Sequence, residues 1–143
     1  MTENTGGKHG GAPGSRGRTT IADVVVEKIA GMAAHDVPGV HALGSGFARS
    51  MGSMRERMPG AGSGKSVTRG VSVEVGEVQA AIDLEIVVDY GVSITDVASD
   101  VRENVISAVE RMAGLEVVEV DIAVSDVKLP DEEDEEEQRQ RVQ

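Results

Sequence analysis

Three histidines, one Tyr, one Phe and 25 acidic residues are the groups in this 143-residue chain from which acid–base or ligand chemistry would be built. There is no Cys, which excludes a thiolate metal site, a cysteine nucleophile and a disulfide scaffold. His9, His35 and His41 lack a second His or an acid at the short spacings that place two ligands on one metal. His35 falls at the expected C-terminus of a helix, where the dipole favours a cation. Gly60–Ser66 reads G-A-G-S-G-K-S and superficially resembles a phosphate-binding loop. The first Gly such a loop requires, five positions before Gly64, is Pro59, and no strand leads into the segment. That stretch reads as a linker. No nucleophile, acid and base converge in the pattern, so no catalytic residue, metal or cofactor is expected.

Charge is the next source of chemistry, and it is unevenly placed. The formal net charge is −11, from 14 Lys and Arg against 25 acids. Residues 1–18 are Gly-rich with a net of +2, and Gly44–Arg69 carries +4 through Arg49, Arg55, Arg57, Lys65 and Arg69 against Glu56. Asp131–Gln143 opens with seven consecutive acids and nets −5 with Arg139 and Arg141, and the segments outside these three regions carry −12. An acidic body argues against nucleic acid as a partner, and one Phe with one Tyr leaves almost no stacking platform. No apolar run approaches the roughly 20 residues a helix needs to span a bilayer. Residues 1–18 also lack the apolar stretch of a signal peptide, so the chain is expected to be cytoplasmic.

Elements must position whatever these residues do. Thr20–His35 carries Ile21, Val24, Val25, Ile29 and Met32 at helical spacing, with Thr20 and Asp23 placed as a capping box and Pro38-Gly39 as the stop. A short strand at Val40–Leu43 follows. Val71–Val75 and Val78–Val88 alternate like half-buried strands around Gly76-Glu77, which suits a type II′ hairpin. That turn pairs Val75 with Val78, Val73 with Ala80 and Val71 with Ile82. Ser93–Ala113 places Ile94, Val97, Ala98, Val101, Val105, Ala108, Val109 and Met112 on one stripe, between a Ser93 cap and a Gly114 stop. In the final strand, Val117–Val127, Val118, Val120, Ile122 and Val124 share a face opposite Glu119, Asp121 and Ser125.

The expected fold is a two-layer α+β domain: helix, short strand, β-hairpin, helix, strand, with both helices on one face of a small mixed sheet. It occupies residues 19–129, with a basic Gly-, Arg- and Met-bearing insertion at 44–69. Disordered tails are expected at 1–18 (Gly-rich) and 130–143 (acidic). The core is mostly Val, since 23 residues of the chain are Val. On the opposite sheet face fall Glu74, Asp83, Glu85, Asp89, Glu119 and Asp121, either a solvated surface or a site for cations or a basic partner. The acidic tail either solubilises the chain or folds back on the basic insertion. Within that insertion Phe47, Met51, Met54 and Met58 recur at helical spacing with Arg55 and Arg57 off the stripe. These six residues are candidates for contact with a partner groove or an anionic membrane. Gly46, Gly52 and Pro59 favour a linker instead.

Two blocks carry a resemblance. Glu27–Leu43 (EKIAGMAAHDVPGVHAL) and Val88–Val127 (VDYGVSITDVASDVRENVISAVERMAGLEVVEVDIAVSDV) resemble the bacterial alkaline shock, or general stress, protein family of envelope stress response proteins. The resemblance implies a non-enzymatic cytoplasmic scaffold or interaction module. It implies peripheral placement at the inner membrane face through an integral membrane anchor protein, together with self-association. No small-molecule substrate is implied. Two departures stand out: the insertion at 44–69 is long, and Arg18-Thr19-Thr20 replaces a short strand.

Overall fold

Ala80, Ile82, Leu84, Ile86 and Val88 alternate with Ala81, Asp83, Glu85 and Val87, and this strand organises the sheet. The computed structural model describes residues 12–44 and 69–132. They form α1 (Asp23–His35), β1 (Val40–Leu43), β2 (Val71–Val75), β3 (Gln79–Asp89), α2 (Ile94–Ala113) and β4 (Glu116–Lys128). A 3₁₀ turn at Pro13–Ser15 precedes them and buries nothing. β1 and β2 both pair antiparallel with β3 along one of its edges, and β4 pairs parallel along the other. The sheet is mixed, both helices lie on one face, and the fold is the α+β arrangement expected.

The core is aliphatic. Val26, Ala30 and Ala34 of α1 and Val101, Val105 and Val109 of α2 are fully buried against Ile82, Ile86 and Val88. Arg102 Nε donates to the Val120 carbonyl at 3.1 Å, and Glu110 accepts from the Val117 amide at 3.0 Å. These two bonds tie α2 to β4. Between the helices, Asn104 Nδ2 donates to the Ala33 carbonyl at 2.7 Å.

Several local expectations are corrected. α1 starts at Asp23 with Ala22 as its N-cap, so Thr20 lies too far upstream to cap it; no side chain does. Its buried residues are Val26, Ala30, Gly31, Ala33 and Ala34, whereas Val24, Val25 and Met32 of the expected stripe are exposed and Ile21 and Ile29 half-buried. Apolar residues surround α1, and the small ones let it approach the sheet most closely.

The hairpin keeps its expected faces but shifts by two residues: Val75 pairs with Ala80, Val73 with Ile82 and Val71 with Leu84. Gly76 does not adopt positive φ, so the turn is not type II′. Its amide donates to the Gln79 carbonyl across Glu77-Val78, and the Val78 carbonyl instead accepts from Glu116 at the start of β4. In β4, Ala80 faces Val117 and Ala81 faces Glu119, so Val118 is the extra residue of a bulge and is exposed. Ile94 and Met112 at the ends of the α2 stripe are exposed as well.

Candidate functional site

The insertion enters and leaves the sheet at a single point. Glu85 accepts a hydrogen bond from the Gly44 amide at 2.6 Å and donates its own amide to the Gly70 carbonyl at 2.8 Å. In a regular antiparallel ladder one residue makes both bonds. Here Gly44 and Gly70 divide them, so β1 and β2 follow one another along the same edge of β3. A Cβ on Gly70 would lie 2.7 Å from the Gly44 Cα, which explains why Gly serves here. Phe47, Met51, Met54, Arg55, Arg57 and Met58, and the Gly60–Ser66 stretch, lie outside the described residues.

β3 and its neighbours set out the carboxylates on the sheet face away from the helices. Asp83 is opposite Ser72 and Asp121, and Ala81 is opposite Glu74 and Glu119. Asp121, hydrogen-bonded to the Glu119 carboxyl and of like charge, pushes it above the ordinary carboxylate value. Desolvation, Asp83 and Glu74 add smaller pushes. Glu119 therefore lies close enough to three other carboxylates of the expected acidic face to feel their charge. Among the described residues, no group of His and acidic side chains has the arrangement of a metal site.

At the other end of β3, His41 Nδ1 stands 3.5 Å from the Asp89 carboxylate. The pairing of Val40 with Val88 and the irregularity after it bring these two groups together, which residue spacing alone does not reveal. Tyr90, next in sequence, is exposed, and its amide donates to the Lys128 carbonyl.

The helical face carries a groove that the sequence reading missed. Lys28, Met32, Arg111 and Met112 border a space of about 420 Å³ between α1 and α2, floored by Asn104 and Ala108. Next to it, Asp36, Asp100, Glu103 and Ser107 border a second hollow of about 500 Å³. Asp36, Asn104 and Ser107 line both, so the two are continuous. Neither contains a histidine. Helical periodicity assigned Met32 and Met112 to the core; the small residues Ala30 and Ala34 on the other side of α1 were the available signal. Among the described residues, no helix is long and apolar enough to cross a membrane.

Comparison with known proteins adds a family. A model of the Asp23 family, described as having a cell envelope-related function, matches residues 12–129. (The family's name has no connection with residue Asp23.) The chain is 34% identical over 117 residues to the stress response regulator gls24 homolog of Streptococcus pyogenes serotype M1, covering 82% of this chain and 62% of that protein. It is 34% identical over 113 residues to the uncharacterized protein YqhY of Bacillus subtilis, covering 79% and 78% respectively. Identity to the uncharacterized protein YloU of the same organism is 30% over 113 residues, covering 79% and 90%. The chain thus spans less than two thirds of the streptococcal relative's length. No solved structure matches.

Proposed function

From the premise that this chain belongs to the Asp23 family, of cell envelope-related function, we propose that it is a non-enzymatic envelope stress response protein. In this reading it is a cytoplasmic scaffold held at the inner membrane face by an integral membrane anchor, and it self-associates. The carrying observation is the extent of the family match, which runs from residue 12 past Lys128 and so takes in every element of the domain. The name of the streptococcal relative, a stress response regulator, supports a stress role. Chemistry of contact suits the surfaces described: an acidic sheet face, a charged groove between helices and an insertion rooted at one point. Nucleic acid and small-molecule substrates have no place in this reading.

Fractionation of cells lacking individual membrane proteins tests it. Loss of the chain from the membrane fraction in one such background, and capture of that protein in a pull-down, is the expected result. Purely soluble behaviour in every background would sink the proposal.

A second reading is favoured by the spacing of Phe47, Met51, Met54 and Met58 with Arg55 and Arg57. There the insertion binds an anionic membrane directly. Vesicle flotation separates the two readings, because Arg55→Glu with Arg57→Glu abolishes flotation only if the insertion is the binding element. The net charge of −11 opposes anionic lipid and places this reading second.

A further inference from the structure

Two features of the α1–α2 groove call for a partner of particular chemistry. The first is exposed apolar surface: Met32 is 51% and Met112 63% exposed, beside the half-buried Ile29. Flexible methionine side chains at a groove can adapt to a partner's surface. The second is polarity along the groove. Lys28 and Arg111 flank the methionines at one end, while Asp36, Asp100 and Glu103 line the other. The Asn104–Ala33 hydrogen bond fixes the two helices against each other, so this separation of charge is built into the packing.

From this arrangement we infer that the groove is a self-complementary docking surface, covered by a second copy of this chain across a two-fold axis. The axis passes near Ser107 and Ala108, where small side chains allow close approach. Rotation by half a turn lays the Lys28/Arg111 end of one copy over the Asp36/Asp100/Glu103 end of the other, and the reverse contact forms at the same time. Each copy covers the methionines of its partner. The acidic run Asp131–Glu137 satisfies only the basic end, is repelled by the other, and offers no apolar side chain to the methionines. An anionic lipid surface meets the same repulsion. A basic segment reverses the mismatch. A second copy satisfies both ends.

The inference rests on the scaffold reading and names one of its contacts. Its test uses the full chain in two double variants, Lys28→Glu with Arg111→Glu and Asp100→Lys with Glu103→Lys. All four side chains are exposed, and circular dichroism checks that both variants fold. Sedimentation velocity over a concentration series should show wild-type dimer. Each variant alone should dissociate roughly ten-fold more readily or worse, and an equimolar mixture should regain the dimer, because the altered ends then complement each other. Added salt should weaken the wild-type dimer. A wild-type chain that stays monomeric to its solubility limit overturns the inference. So does a dimer that neither variant disturbs, a mixture that stays monomeric, or vesicle flotation that follows Lys28 and Arg111 in a monomeric chain. Membrane fractionation of the same variants keeps the two failures apart: a monomer that still follows its anchor ends the groove inference and leaves the scaffold reading standing.

Discussion

Along β3, Ile82, Leu84, Ile86 and Val88 turn toward the helices and are buried, whereas Asp83 and Glu85 turn away and share their surface with Glu74, Glu119 and Asp121. One strand therefore serves two regimes two residues apart in period. On the helical side, stability comes from apolar area removed from water, at about 25 cal/mol per Å². Side chains there are small and branched, so fit is set by methyl groups. On the open side, like charges crowd each other, and the burial beneath must offset their repulsion. Val87 marks the limit of the contrast, since it faces outward yet is buried between Ala42 and Asp126. The lesson is that the fold depends on one face, and the other is free to serve contact.

Truncation on each side gives the largest expected effect. Ile86→Ala, at a fully buried position, should lose about 2–5 kcal/mol in urea unfolding. Asp83→Ala, at an exposed site on the same strand, should change stability by no more than about 0.5 kcal/mol, in either direction. Equal losses would break the comparison.

The edge where β1 meets β2 should behave like the core despite lying at the rim. Gly70 has a φ of 78°, and an added Cβ would lie 2.5 Å from the Gly44 amide and 2.9 Å from the Glu85 carbonyl. Gly91 has a φ of 99° with nothing near its missing Cβ. Both Ala substitutions carry backbone strain, and only Gly70→Ala adds a collision with backbone. Its loss should exceed that of Gly91→Ala by more than about 1 kcal/mol in the same unfolding measurement.

Helix ends sharpen the contrast further. Ser93 caps α2, accepting from the Asp96 amide at 3.4 Å, while Thr20 caps nothing. Ser93→Ala should cost about 1 kcal/mol and Thr20→Ala close to nothing, read from thermal melting.

That pair also shows how far the chain could be read. α2 was legible because its signals are local: Ser93 at the cap, Val97, Val101, Val105 and Val109 at four-residue spacing, and Gly114 in the left-handed conformation with φ 73°. The two-layer order and the acidic face were legible for the same reason, since alternation fixes which side each residue takes. The face of α1 was not. Val24, Val25 and Met32 compete with Val26, Ala30 and Ala33 for the core, and only packing against β1 and β2 decides between them. The hairpin register shifted because the Val78 carbonyl is taken by Glu116, a partner nearly forty residues away. The bulge at Val118 is likewise a property of two strands together. For the candidate site, the six insertion residues lie outside the described residues. The groove needed the antiparallel contact of two distant helices before Lys28 and Arg111 could be seen as neighbours.

The smallest expected effect is the most direct probe of the acidic face. The Glu119 carboxyl is raised above its ordinary value, chiefly by its hydrogen bond to Asp121 and the charge there. A raised folded-state pKa means that the native protein holds this proton to higher pH than the unfolded chain does. The associated stability is full below the unfolded value and is lost as pH rises through the folded one. Above that window, ionised Glu119 beside Asp121 opposes folding. Glu119→Gln removes the charge and keeps an amide that can donate to Asp121. The variant should therefore melt higher than wild type near about pH 7, and the gap should close toward about pH 3, where the carboxyl is protonated in both states. Salt should narrow the gap at neutral pH by screening the exposed carboxylates. If Glu119→Gln instead melted lower at neutral pH, the carboxylates would be holding the open face together, and both faces of β3 would then contribute to the fold.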